Sequence, residues 1–195
     1  MIYFDNAATT FFKPQEVAET VLEAITRYSV NPNRSFNALT TALSEKILST
    51  RRKIAELVRL NNPLNVVFGL NCTDALNLAI LGSIRSKGEN IVTSALEHNS
   101  VMRPLHRLQE KGFIKLNIIN PDENLVISAQ AVEAAITPNT SIVVLSHVSN
   151  VTGATIDAEA IGQVCKKRGV KFLLDAAQSI GYIPVNMEAY NIDLL

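Results

Sequence analysis

The sequence predicts an α/β fold, a three-layer sandwich with a mainly parallel sheet, and three observations carry that expectation. From residue 66 onward, short apolar runs alternate with segments whose apolar residues recur at helical spacing. Those runs are mainly apolar, as expected of strands covered on both faces. Four of the runs give way at their C-terminal ends to small or polar residues, the end at which open sheets of this kind bind ligands.

Ahead of the alternation, residues 5–10 form a polar, small-residue stretch, and Pro14 opens a helix at its first position. Val17, Val21, Ile25 and Tyr28 are spaced to give that helix one buried face, and Asn31-Pro32-Asn33-Arg34 breaks it. A second helix presents Leu43, Ile47, Ile54, Leu57 and Val58; it ends at Asn61-Asn62-Pro63, where Asn takes a left-handed cap and Pro blocks continuation. Residues 66–70 read as the first strand and 73–84 as a helix with Leu76, Ile80 and Ile84 on one face. A strand at 91–95 follows, then a helix marked by Val101, Leu105 and Leu108 that closes near Gly112, its start left undefined by Pro104. A strand at 114–119, a helix around 128–136 and a strand at 142–146 continue the pattern. Asp157 caps the next helix, Ile156 staples onto Ile161, and Lys166, Lys167 and Arg168 oppose the dipole before Gly169 closes it. Strands at 170–174, 183–185 and 192–195 complete the series. No repeat, low-complexity tract or Gly/Ser linker interrupts it, so residues 1–195 are expected to form one domain. The final strand is entered without the turn or helix that should follow, so the sequence is expected to be a fragment.

Composition excludes several function classes. With 47% apolar and 18% charged residues over 195 positions, the chain has the makeup of a soluble globular protein with a sizeable core. Eighteen Lys and Arg balance 18 Asp and Glu, so no global field steers it to nucleic acid or an anionic membrane. No apolar run approaches the length that spans a bilayer and the N-terminus has no basic-then-apolar leader; the expected location is cytoplasmic. Cys72 and Cys165 lie far apart without CxxC spacing, and His98, His106 and His147 show no ligand pairing, so neither a disulfide framework nor a metal site is expected.

The chemistry concentrates at the strand ends. Asp175 terminates an apolar run with no Lys or Arg beside it in sequence, and a buried carboxylate needs a positive partner. That vacancy suits a protonated heterocyclic nitrogen from outside the chain, with Gln178 one short turn away to touch a neighbouring ring oxygen; the plainer reading is an Asp capping the next turn. In NCTDALN, Cys72 and Thr73 lead into a helix whose free N–H groups suit a phosphate, although ordinary N-capping explains the same residues. His98 offers a flat ring for stacking, or is simply solvated. Asn150, in HVSNVTG, offers a donor to a ring oxygen or carboxylate, or marks a plain turn with Gly153. No GxG and no GxxxxGK occurs, so the ligand is unlike a dinucleotide or ATP.

FDNAATT, NCTDALN, EHNS, HVSNVTG and LLDAAQS, in this order, resemble the fold-type I pyridoxal-phosphate enzymes of the class V aminotransferase group, most closely the cysteine desulfurases. The resemblance runs through essentially the whole chain. It implies the cofactor-binding large domain, incomplete here, of a homodimeric transferase of sulfur metabolism that takes sulfur from L-cysteine, leaves alanine, and passes an enzyme persulfide to an acceptor protein. It assigns Asp175 to the pyridine nitrogen, Gln178 to the phenolic oxygen, and His98 to ring stacking and possible proton transfer. Cys72 and Thr73 fall to the phosphate, Asn150 to the phenolic oxygen and substrate, residues 5–8 to the substrate pocket, and residues 31–37 to the dimer partner. The family's Schiff-base lysine lies a short way beyond the DAAQ motif, past Leu195, and its persulfide cysteine and carboxylate-binding arginine lie later still. The 195 residues alone are therefore expected to be inactive, with Cys72 a backbone contact and Cys165 a core residue. Other class V activities stay open (aminotransferase, epimerase, selenocysteine lyase, kynureninase-like hydrolase), as does a non-catalytic pseudoenzyme or binding subunit.

Overall fold

The computed structural model describes residues 2–32, 34 and 37–195. They divide into two compact units, Met1–Glu56 with Asn61–Val66, and Leu57–Leu60 with Val67–Leu195.

The first unit is helical. Pro14 occupies the N-cap of α1 (Gln15–Arg27), where its missing N–H costs nothing. No residue of α1 is buried, and Val21, Leu22 and Ile25 are 54, 63 and 66% exposed, which corrects the expected buried face. Helical spacing makes the stripe, but burial needs a second apolar surface, and within this unit the contacts to α1 are polar-edged. Glu23 pairs with Lys46 of α2 (Ala38–Leu57) at 3.0 Å, and the same ammonium lies 4.8 Å from the Tyr28 ring centre. Helix α2 stops at Leu57, which is exposed, and the left-handed residue is Arg59 at φ 55° rather than an Asn. Asn62 instead caps a short 3-10 turn (Pro63–Asn65), accepting from the Leu64 N–H at 3.0 Å. The segment expected to face a dimer partner falls, at Asn33, Ser35 and Phe36, outside the described residues.

The second unit holds a four-stranded, all-parallel sheet of order β2-β1-β3-β4, made from β1 (Glu89–Ser94), β2 (Ile114–Ile119), β3 (Thr140–Ser146) and β4 (Lys171–Asp175). Alternate strand residues go to opposite faces, and two cores result. Ile91, Ile142, Val144 and Leu173 pack with Leu76 and Ile80 of α3 (Cys72–Ser83) and Val101 and Leu105 of α4 (Asn99–Glu110). Val92, Val143, Leu145, Phe172 and Leu174 pack on the other side with Val132 of α5 (Ala129–Ala135) and Ile161 and Cys165 of α6 (Ala158–Arg168). The three-layer α/β expectation is met. Each fully buried Phe, Ile or Leu adds roughly 1.5–3 kcal/mol by leaving water. The expected caps of α6 are met: Asp157 accepts from the Ala160 N–H, and Gly169 closes the helix at φ 68°; Ser128 caps α5 by accepting from the Ala131 N–H.

Three expected strands are corrected. Residues 66–70 enter no ladder among the described residues, and Val67 and Leu70 are 72 and 91% exposed. An apolar run becomes a strand only beside another that takes up its N–H and C=O groups. Residues 183–185 are likewise irregular, and 192–195 contribute one parallel bridge, in which the Leu174 N–H donates to Leu194 O at 2.9 Å. No helix among the described residues is long and apolar enough to cross a membrane.

The terminal segment lies against α6 at Gly162, where a Cβ would stand 1.7 Å from the Tyr190 carbonyl oxygen. Neither backbone can yield without disturbing the packing beneath. Gly162→Ala should therefore lose at least about 2–3 kcal/mol of stability by urea unfolding. An unchanged midpoint would show that the segment is not seated there.

Candidate functional site

The order in which strands are added reverses between β1 and β3. From β1 the chain passes through α4 to β2 on one side, and from β3 through α6 to β4 on the other, so the loops leaving the C-terminal ends of β1 and β3 diverge. Glu97, on the loop after β1, spans this crevice. One carboxyl oxygen accepts from Ser94 Oγ at the end of β1 (2.5 Å) and the other from Ser146 Oγ at the end of β3 (2.7 Å). Burial, opposed by those two hydroxyls and reinforced by the negative charge of Asp175, pushes the Glu97 carboxyl up to about 7.

Asp175 lies beside Ser146 in the β3–β4 register and is buried. One of its oxygens accepts from the Ala177 N–H at 2.9 Å, so the turn-capping reading describes part of what it does. Among the described residues no Lys or Arg pairs with it. The turn that follows carries half-buried Gln178 and is clamped from β3: the His147 N–H donates to Asp175 O at 2.9 Å and His147 Nδ1 lies 2.9 Å from Ser179 Oγ. Both side chains are buried, and burial lowers the His147 pKa.

Two helix starts meet beside this crevice. Asn71 caps α3, accepting from the Asp74 N–H at 2.9 Å, which leaves Cys72 and Thr73 in the first turn with N–H groups that have no helical acceptor. Cys72 is exposed, yet its thiol is pushed up by desolvation and then by the charge of Asp175. His98 caps α4 with its ring, Nδ1 accepting from the Ser100 N–H at 3.1 Å. Ser100 Oγ lies 2.8 Å from that nitrogen and 2.8 Å from Thr73 Oγ1, so α3 and α4 are joined by a chain of polar groups.

Thus Cys72, Thr73, His98 and Asp175 come from three separate sequence motifs to one end of the sheet. Asn150 stands exposed in the 149–153 turn, which the Gly153 N–H closes on Ser149 O at 3.0 Å with Gly153 at φ 71°. Cys165 is fully buried in the core and its thiol is pushed up to about 12. No cluster of metal-ligating side chains occurs among the described residues. Glu97, Ser94, Ser146, Ser100 and the His147–Ser179 pair escape sequence reasoning; the signal available was that Ser94, Glu97, Ser146 and His147 lie at or just past the ends of apolar runs, whereas Ser100 and Ser179 carried none.

Polar groups gathered at the strand ends of a parallel sheet, around its point of reversal, mark the place where α/β proteins of this architecture bind their ligands. The chain belongs to the class V aminotransferase family, whose pattern its residues 2–195 match. It is 36% identical to cysteine desulfurase IscS of Serratia proteamaculans over the whole chain, which covers 48% of that protein. Among solved structures, the apo cysteine desulfurase of Thermococcus onnurineus superposes with a TM-score of 0.89 at 33% identity, over 98% of this chain and 48% of that one. SspA, solved in complex with cysteine, superposes at 0.88 and 30% identity, over 98% of this chain and 55% of that one. The chain therefore spans about half the length of the curated relatives it matches.

Glu97 links folding to pH. Its carboxyl is held near 7 in the folded chain against an ordinary 4.5, so the folded state binds the proton more tightly. The resulting stability is complete below the ordinary carboxylate range and is lost as pH rises through 7, amounting to about 3 kcal/mol between the values 4.5 and 7. Urea unfolding across this window should show that loss in the wild type and a flatter profile in Glu97→Gln. Parallel profiles would mean that Glu97 is ionised throughout.

Proposed function

We propose that these 195 residues are the cofactor-binding large-domain part of a cytoplasmic, pyridoxal-phosphate-dependent cysteine desulfurase. In this reading the intact enzyme is a homodimer that converts L-cysteine to alanine and hands the sulfur to an acceptor protein. The observation that supports it best is Asp175, a buried carboxylate without a cationic partner among the described residues, lying electrostatically within reach of the Cys72 thiol at the start of α3. A ligand with a protonated ring nitrogen at one end and a phosphate at the other fits those two ends. The relatives' names supply the substrate.

When bound, pyridoxal phosphate supplies an electron sink for negative charge developing at the amino-acid Cα. Asp175 serves by keeping the ring nitrogen protonated, its other oxygen being held by the Ala177 N–H. The N–H groups of Cys72 and Thr73 receive the phosphate at the positive end of α3, Gln178 and Asn150 take the phenolic oxygen, and His98 covers the ring face. The raised pKa of the Glu97 carboxyl lessens the negative charge that Glu97 adds beside Asp175 at the crevice. The Schiff-base lysine that the resemblance implies lies beyond these residues, so residues 1–195 alone would hold the cofactor without a covalent link.

Incubating the intact protein with cofactor, L-cysteine and a thiol reductant should release alanine and sulfide in equal amounts. A response to alanine or serine in place of cysteine would assign it to another class V activity, and no turnover of any amino acid would favour a binding subunit. Asp175→Asn should weaken binding of pyridoxamine 5′-phosphate roughly 10- to 100-fold, the worth of a charged hydrogen bond. Unchanged affinity by equilibrium dialysis would remove Asp175 from the site.

A further inference from the structure

One backbone group sets the direction of every hydrogen bond between α3 and α4. The Ser100 N–H can only donate, and it lies 3.1 Å from His98 Nδ1, so Nδ1 is an acceptor and the neutral ring carries its hydrogen on Nε2. Ser100 Oγ, 2.8 Å from the same nitrogen, must then donate to it. With its one hydrogen committed, Ser100 Oγ can only accept from Thr73 Oγ1 at 2.8 Å. The chain of donors runs Thr73 to Ser100 to His98. Ser100 is 7% exposed, which limits replacement of either bond by water.

In this arrangement the Thr73 hydroxyl points its hydrogen inward and shows an anion only lone pairs. For Thr73 to donate to an anion, its hydrogen must leave Ser100, and one of the two 2.8 Å contacts must open. A hydroxyl donating to an anion becomes a better acceptor, so the Ser100 hydrogen follows it and turns toward Thr73. His98 Nδ1 then keeps the backbone N–H alone and loses its shorter anchor.

We propose that Ser100 is a positioning residue that couples the anion seat at the start of α3 to the ring of His98, an anion held by the Thr73 hydroxyl releasing His98 from Ser100. This rests on the phosphate placement proposed above. It makes His98 a donor through Nε2–H when the seat is empty and a ring freer to adjust when the seat is filled.

The sign of one substitution separates this from a merely supporting role. Ser100→Ala keeps the backbone cap of α4 but removes the competing acceptor, so it should bind inorganic phosphate about 3–10-fold more tightly than the wild type, the net worth of one hydrogen bond expressed as affinity. Nitrogen-15 spectra of the histidine-labelled protein, with His98 assigned through His98→Gln, should show the Nε2–H form without phosphate. Phosphate should shift the Nδ1 resonance of His98 in the wild type, and should not do so in Ser100→Ala or Thr73→Val, the latter keeping the Ser100–His98 bond. Phosphate binding that is equal or weaker in Ser100→Ala, or an Nδ1–H form in the free protein, would overturn the coupling while leaving the phosphate seat standing. Failure of wild type and Ser100→Ala alike to bind phosphate would remove the seat itself, and the coupling with it.

Discussion

A parallel sheet that grows outward in both directions from its middle leaves a gap at the C-terminal ends of the two strands where growth reverses. Here that gap lies between β1 and β3, and the arrangement of the site follows from how it is filled. The carboxyl of Glu97 crosses it, bound by a serine hydroxyl on each side. With the two strand ends tied in this way, the loop after β1 leads directly into α4 with His98 at its cap, and the loop after β3 turns away to carry Asn150.

Two carboxyl groups near one crevice would repel each other if both were ionised. The structure resolves this unequally. Glu97, enclosed, retains its proton up to about 7 against the pull of its two hydroxyl donors, and the charge of Asp175 adds to that bias. Asp175 is held by a backbone N–H at 2.9 Å and has its turn pinned to β3 through His147 and Ser179. Divergent environments for neighbouring acids are how a protein assigns them separate tasks.

Much of this could be read from the chain before any coordinates. Strands at 114–119, 142–146 and 170–174 were legible because each is a short, mainly apolar run set between helical patterns, and Asp175 because a charge ends one. The polar chain through Ser100 was not, since a serine two residues into a helix is indistinguishable by type from an ordinary first-turn residue; its meaning comes from Thr73, which lies 27 positions earlier. Glu97 was hidden for the same reason, its partner Ser146 being 49 positions away. The errors at residues 66–70 and along α1 share another cause. Pattern reports what a segment offers to a neighbour, and burial depends on whether a neighbour is present; Val67 and Ile25 remain 72 and 66% exposed.

The two cysteines stand in opposite circumstances. Cys165 is sealed among Ile161, Phe172 and their neighbours, while Cys72 opens α3 at the rim of the crevice. A maleimide or a fluorescent alkylating dye added to the folded chain would therefore mark a single position, and that position borders the candidate phosphate seat. Within these 195 residues Cys72 is thus an exposed attachment point for a reporter group, through which occupancy of the neighbouring pocket can be followed by optical means.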